Sequence, residues 1–212
     1  MAVPRMLSTN RAEFLDPGSR ALLAALGERD IHTQFHSRRV VGFAHLIGIG
    51  CGLDEEDLQL LSMSACFHDI GKIGIPDQIL LKPARFTQDE MDVMKDHPIK
   101  GEGIINKLGL KLGHLIAKAV RHHHEHIDGG GYPDGLKGES IPYMARIIAV
   151  ADSFDAMTEV RPYHPARSIA ETVTIMQGEA GSKLDTYLVN KMCHLVESRN
   201  NLVVSLMSQT SA

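Results

Sequence analysis

Two short segments hold most of the residues that could do chemistry. In the first, His122-His123-His124-Glu125-His126-Ile127-Asp128 runs into Gly129-Gly130-Gly131-Tyr132-Pro133, so imidazoles, carboxylates and a glycine-rich turn share one stretch. In the second, His68-Asp69-Ile70-Gly71-Lys72 adds another His-Asp pair and a lysine. Together they read most simply as the walls of one metal-centred phosphate site. Consecutive helical residues diverge by about 100°, so adjacent donors address two ions more readily than they chelate one. His68-Asp69 and His123-His124 are two such pairs. One pair alone fits a decorated helix end equally well, whereas both together point to a dinuclear centre with a carboxylate such as Asp69 as the bridge.

Other donors carry less by themselves. Asp152 lies within Ala145 to Met157, a helix apolar nearly all round, and a buried carboxylate there needs a counter-charge or a metal. Asp155, on the same face at i+3, either orients a histidine or pairs with an arginine. His36 follows His32 by one helical turn, so the two imidazoles share a face, and His97 before Pro98 has no distinguishing signal of its own. His122 and His126 are expected to face solvent or to support the pair between them. His45, His114 and His194 are assigned to structure.

The elements that must position these residues read as helices. Asp54 with Glu55, Glu56 and Asp57 makes an acidic first turn for a helix running toward His68 and stopping at Gly71. Thr87 and Glu90 form a capping-box pattern for a helix that should end near His97, because Pro98 disfavours helix at the residue before it. Pro142 opens a helix from Tyr143 to about Thr158. Amphipathic patterns run from about Arg11 to Leu26, Asp30 to Ile49, Ile99 to Leu108, Lys111 to His124, Ala166 to Gln177 and Asp185 to Val196. Strand alternation is confined to a short extended piece near Ile73 to Ile75. The expectation is an all-α bundle with the metal centre in its core.

A chain of 212 residues that is 43% hydrophobic, with no break in composition, suits one core. Val40 to Leu53, the longest mostly apolar run, contains His45 and four glycines and falls short of the roughly 20 residues needed to span a bilayer. Cys51, Cys66 and Cys193 are odd in number and widely spaced, and Met1 to Thr9 lacks the order of a signal peptide, so a reducing cytoplasm is expected. A net charge of −4 with neutral histidines disfavours an extended nucleic-acid surface. Any anionic substrate is therefore attracted locally, by metal ions or a few basic side chains.

These stretches resemble the HD-GYP branch of the HD superfamily of metal-dependent phosphohydrolases. The resemblance is carried by His36 to Val40, His68 to Pro83, His97-Pro98, His123 to Pro142, Ala145 to Thr158 and Arg161 to Tyr163, in the family's order over roughly residues 30 to 165. It implies a helical fold in which residues 30–212 form the domain and 1–29 a helical lead too short to be a sensor domain. It also implies two or three ions, iron or manganese, and hydrolysis of cyclic di-GMP to pGpG or GMP. By motif matching, the ligands would be His36, His68, Asp69, His97, His123, His124 and Asp152. Lys72 and Arg161 match positions that contact phosphate, and Gly131, Tyr132 and Pro133 match the loop that names the family.

Five imidazoles and two carboxylates with no thiolate suit iron, manganese or zinc better than magnesium. Two divalent ions, two carboxylates and one bridging hydroxide leave a small net positive charge, which suits a phosphodiester. That hydroxide would be the nucleophile, with Lys72 neutralising charge on the phosphoryl oxygens. At His32 some family members carry a glutamate and hold a third ion; here His32 either substitutes for it or stays exposed in the first helical turn. Two positions depart from the family pattern: His164 stands where a lysine or arginine is common, and Leu184-Asp185-Thr186 replaces Phe-Asp-Pro. Two readings compete with cyclic di-GMP hydrolysis. One keeps the site but gives it another substrate, 3′,3′-cGAMP or pGpG. The other is a metal-holding module that senses the dinucleotide, or docks a diguanylate cyclase through Gly131-Tyr132-Pro133, with little turnover.

Overall fold

A computed structural model describes residues 15–159 and 166–208. Among the described residues the chain forms eleven α-helices and two short 3-10 turns with no strand, apart from an isolated bridge between Ala180 and Leu184. None of these helices is long and apolar enough to cross a membrane.

Helix α1 (Pro17–Arg29) opens at Asp16, whose carboxylate accepts the N–H groups of Gly18 and Ser19, with proline in the first turn where its missing donor costs nothing. Asp30 ends α1 and caps α2 (Ile31–Gly50), accepting from His32 and Thr33. Helix α2 is the central strut, with Val40, Phe43, Ala44 and Ile47 fully buried. Helix α3 (Glu55–Phe67) carries the expected acidic first turn after the Asp54 cap. A 3-10 turn at Ile70–Gly74 and a single helical turn, α4 (Asp77–Leu80), lead to α5 (Gln88–Met94), which starts with the capping box of Thr87 and Glu90. Then come α6 (His97–Ile105), α7 (Gly113–His122), a 3-10 turn at Gly138–Ser140, and α8 (Tyr143–Thr158), followed by α9 (Ile169–Glu179), α10 (Thr186–Ser198) and α11 (Asn200–Met207).

The buried apolar residues fall into two clusters. The larger joins α2, α3, α8 and α10, with Phe43 and Phe154 meeting edge-on at 5.1 Å between ring centroids. The smaller draws Leu26, Phe67, Ile70, Ile105, Ile116 and Val120 together from α1, α3, the first 3-10 turn, α6 and α7. Each large apolar side chain so buried contributes roughly 1.5–3 kcal/mol. The donors of the site come from both sides of this division: α2, with His36, and α8, with Asp152, belong to the first cluster, α6, with His97, to the second, and α7, which ends at the histidine pair, contributes to both.

Several expectations need correction. The piece near Ile73 to Ile75 is not a strand, because residues Ile70–Gly74 coil into the 3-10 turn. The helix begun at Thr87 stops at Met94, and His97 starts α6 instead of ending α5; Pro98 sits in that helix's first turn, where proline is tolerated. His68 and His123 cap α3 and α7, so both adjacent pairs lie at and just beyond helix ends, not within helices. Helix α11 was not expected; it buries Val203 and Leu206, the latter against Gly42 of α2.

Close approach of the first 3-10 turn to α6 depends on glycine. A Cβ at Gly71 would lie 1.8 Å from the His97 carbonyl oxygen and 2.5 Å from the Gly101 nitrogen, both backbone atoms that cannot swing aside. Gly71→Ala should therefore cost about 3 kcal/mol, which in a chain of this size lowers the thermal midpoint by roughly 6–12 °C. Gly103→Ala, on the exposed face of α6 with nothing within 4 Å of the added methyl, should leave the midpoint unchanged or raise it. Calorimetry of the two variants decides this, and equal midpoints would contradict the packing described.

Candidate metal centre

One local device, used three times, aims the histidines. At the C-terminus of a helix the last carbonyls lack intrahelical partners. His68 Nδ1 donates to the carbonyl of Ala65 at 2.7 Å, His97 Nδ1 to that of Met94 at 2.8 Å, and His123 Nδ1 to that of Val120 at 2.6 Å. These acceptors lie in the final turns of α3, α5 and α7. A carbonyl oxygen can only accept, so Nδ1 carries the hydrogen in each ring and the neutral imidazole presents a lone pair at Nε2. His36 is held differently: its Nδ1 lies 2.7 Å from Asp155 Oδ2, and Asp155 is gripped by the Arg39 guanidinium through Nε at 2.7 Å and Nη2 at 3.0 Å. Asp155 thus both orients a histidine and pairs with an arginine. Arg39 also pairs with Glu159.

The Nε2 atoms converge as two facing pairs. His36 Nε2 and His68 Nε2 are 3.3 Å apart, and His97 Nε2 and His123 Nε2 are 3.4 Å apart. Asp69 stands between them. Its Oδ2 lies 3.4 Å from His68 Nε2 and 3.7 Å from His36 Nε2, while its Oδ1 lies 3.3 Å from His97 Nε2. Asp152 Oδ1 completes the first nest at 3.0 Å from His36 Nε2, and His124 groups with His97 and His123 to complete the second. Asp152 keeps 17% of its side chain exposed, so it is the open edge of the site and not the sealed carboxylate its helix suggested.

Charge explains why this arrangement calls for cations. Lone pairs facing each other at such distances repel unless a proton or a metal lies between them. Burial disfavours the proton: it carries His97 down to about 4 against the pull of Asp69, takes His124 down to about 3 with the help of neighbouring imidazoles, and holds His123 well below the ordinary range. His36 goes the other way. Burial alone would lower it, but hydrogen bonds to Asp152 and Asp155 outweigh that and raise it to about 9. Burial likewise opposes ionisation of Asp69 and Asp152, yet Lys72 and His68 for the one, and His36 for the other, hold both carboxyls well below the usual range. Neutral imidazole nitrogens at His97, His123 and His124 beside ionised carboxylates are the donor chemistry of a borderline divalent metal, and at the other pair a cation would replace the proton that Asp152 and Asp155 draw onto His36, so these residues fit such ions.

Behind the donors, charged side chains clamp the loops. Lys72 Nζ is 2.7 Å from Asp69 Oδ2. The turn bearing Lys72 is held by Arg29 of α1, whose guanidinium bonds the carbonyls of Lys72, Ile73 and Ile75 as well as the Asp77 carboxylate. Glu125, only 3% exposed, accepts the N–H groups of Asp134 at 2.7 Å and Leu136 at 3.0 Å. Arg121 grips Asp134 through two bonds of 2.7 Å, and His122 Nε2 adds a third at 2.8 Å, which makes His122 a support for the loop. Gly131 lies so close to this backbone that a Cβ would come within 2.2 Å of the His126 nitrogen. Tyr132 stacks on His124 with centroids 4.9 Å apart.

A cavity of about 450 Å³ opens over His36, Asp69, Lys72, His124 and Asp152. Gly131, Tyr132 and Pro133 are not among the residues that line it, but Tyr132 stacks on His124, which is, and Glu125 anchors the loop just after them. His32 is exposed, its N–H bonded to the Asp30 cap, and it belongs to no group of three metal-type donors among the described residues. Arg161 and His164 lie outside the described residues. Sequence reasoning missed Arg29, Arg39 and Glu125. Only Glu125 had a local signal, a carboxylate set among histidines.

A family model described as an HD domain matches residues 21–188. The chain is 41% identical over 188 residues to the cyclic di-GMP phosphodiesterase response regulator RpfG of Xanthomonas campestris pv. campestris, covering 88% of this chain and 50% of that protein. It is 36% identical over 154 residues to the 3′3′-cGAMP-specific phosphodiesterase 3 of Vibrio cholerae serotype O1, covering 73% of this chain and 33% of that one. The chain therefore spans half or less of the length of these relatives. Its fold is similar to the crystal structure of a cyclic GMP-AMP specific phosphodiesterase of V. cholerae, with a TM-score of 0.61 at 20% identity over 82% of this chain and 48% of the other. With the family match running across most of the chain and the motifs folded into one donor cluster, this chain belongs to the HD domain family, in its HD-GYP branch.

Proposed function

We propose that this chain is a metal-dependent phosphodiesterase that hydrolyses cyclic di-GMP to pGpG or GMP in the cytoplasm, using two ions, iron or manganese. One observation carries the reading: the two oxygens of Asp69 face different imidazole nests, as a bridging carboxylate does. In this assignment His36, His68, Asp69 and Asp152 hold one ion, and His97, His123, His124 and Asp69 the other. Two ions are assigned and not three, because His32 is exposed and joins no three-donor group among the described residues.

Bound divalent ions supply Lewis acidity toward a phosphoryl oxygen and lower the pKa of water. The protein's own groups do the rest. Asp69 and Asp152 offset half the charge of two divalent ions and leave a positive floor for a phosphodiester. The carbonyl-anchored rings hold the donors rigidly, which preserves the spacing that an in-line displacement needs. Lys72, beside Asp69 on the cavity floor, donates to phosphoryl oxygen. Arg161 is given the same role from its motif position. Gly131, Tyr132 and Pro133 are given substrate contact from their motif position, and the same loop is the surface assigned to a diguanylate cyclase partner.

A second substrate reading, 3′,3′-cGAMP, is favoured by the 36% identity to a relative named for that activity. Both readings share the site and differ only in the bases.

Protein reconstituted anaerobically with iron or manganese should convert cyclic di-GMP to pGpG or GMP, read by chromatography. Asp69→Ala should abolish turnover and lower metal content at both positions, since one side chain serves both. A metal-replete, active Asp69→Ala protein would overturn the dinuclear assignment.

Lys72→Ala and Arg161→Ala should act on substrate alone. Removing one donor to the phosphoryl group should lower kcat/KM by about a hundredfold while metal per chain stays at the wild-type level. Loss of metal from either variant would move that residue from substrate contact to support of the ligands.

A further inference from the structure

The cavity has a second wall that the metal chemistry does not use. Besides the residues of the floor, its lining includes Ala156 and Met157 of α8, Arg167, and Ile175, Glu179 and Lys183 from α9 and the turn after it. Three of these six are apolar enough to carry the face of a base. At their edge, Lys183 Nζ lies 3.3 and 3.5 Å from the two carboxylate oxygens of Glu179. The floor carboxylates, Asp69 and Asp152, are committed to the imidazole nests. Glu179 is thus the one carboxylate among the described lining residues that is available to a base.

The turn presenting this pair is held at many points. The Glu179 carbonyl accepts the N–H groups of Ser182, Lys183 and Leu184 at 3.2, 3.0 and 3.1 Å. Gly181, at a φ of 85° that favours glycine, donates to the Leu184 carbonyl at 2.8 Å. The carbonyls of Ser182 and Lys183 in turn accept from Asp128 at 2.9 Å and Ile127 at 3.3 Å, in the loop that follows the histidine pair. The backbone under Glu179 and Lys183 is therefore fixed relative to the metal floor, as a recognition element requires.

Among the bases, guanine matches an adjacent carboxylate and ammonium. Its N1–H and N2–H donors lie side by side and meet both oxygens of a carboxylate, and its O6 acceptor beside them meets an ammonium. Adenine places a lone pair at N1, which would face the carboxylate and repel it. We propose that the Glu179–Lys183 pair reads the Watson–Crick edge of one guanine and so selects guanine-containing cyclic dinucleotides over cyclic di-AMP. This inference rests on the cyclic-dinucleotide phosphodiesterase reading above and concerns lining residues of the same cavity, whose volume lies within the range of small-molecule sites.

The test is calorimetric binding of slowly hydrolysed bisphosphorothioate analogues of cyclic di-GMP and cyclic di-AMP to the metal-loaded full chain. Turnover of the natural dinucleotides is measured alongside. A bidentate base contact discriminates by about tenfold to a hundredfold, so wild type should prefer the guanine analogue by that factor. Glu179→Gln should erase most of the preference by weakening guanine binding and leaving adenine binding little changed. Lys183→Met should weaken guanine binding less. Thermal midpoints should hold, because a partly exposed i,i+4 pair adds little stability. A Glu179→Gln protein that keeps the wild-type preference overturns the proposal, as does wild type that binds both analogues equally or binds neither. Selective binding without hydrolysis of any dinucleotide would overturn the phosphodiesterase reading and leave base selection standing.

Discussion

Two pairs of buried imidazole nitrogens, facing each other at 3.3 and 3.4 Å with one carboxylate between them, are the constraint around which this chain is arranged. Each Nδ1 is already given to a backbone carbonyl or to Asp155, so every Nε2 is fixed facing its neighbour, and His36, raised to about 9, holds a proton where a cation would sit. Burial resists relieving the repulsion with protons at His97, His123 and His124. Cations between the rings relieve it. A donor set fit for divalent cations is thus a consequence of where the rings are fixed, and the ionised carboxylates of Asp69 and Asp152 supply the matching negative charge.

Holding such a site requires rigidity at the places where helices end. His68, His97 and His123 each sit where a helix has just stopped and its last carbonyls need donors, so one bond serves the helix and the ligand at once. The remaining joints are clamped by long-range ion pairs and bonds to backbone. Arg29 closes on the turn of Lys72, Arg39 on Asp155 and Glu159, and Glu125 on the loop behind His124. Gly71 lets that first turn rest directly on the backbone of α6. The site draws on both apolar clusters, with α2 and α8 from the larger and α6 from the smaller.

How much of this could be read beforehand depended on whether a signal was local. Helix starts were visible because capping is local: the acidic turn after Asp54, the Thr87 and Glu90 box, and the proline before Tyr143 all lie where expected. The paired donors were visible because adjacency is local. Their placement was not, since a pair on a helix and a pair just past its end look alike in one dimension. His97 had no signal apart from Pro98, which suggested a stop where a new helix begins. Arg29 acts on carbonyls more than 40 residues away and Arg39 on a carboxylate 116 residues away, distances no periodic pattern encodes. The loop of Gly131, Tyr132 and Pro133 was placed against substrate on resemblance alone, and the Glu125 bonds that anchor the residues after it, nine and eleven positions along the chain, had no pattern to announce them.

The most direct measurement is anomalous diffraction from crystals of manganese- or iron-loaded protein, recorded at the absorption edge of the bound metal. Two peaks about 3.5–4 Å apart are predicted, one beside each oxygen of Asp69, with His36, His68 and Asp152 around the first and His97, His123 and His124 around the second. A single peak, or peaks that leave either imidazole pair without an ion, would contradict the account.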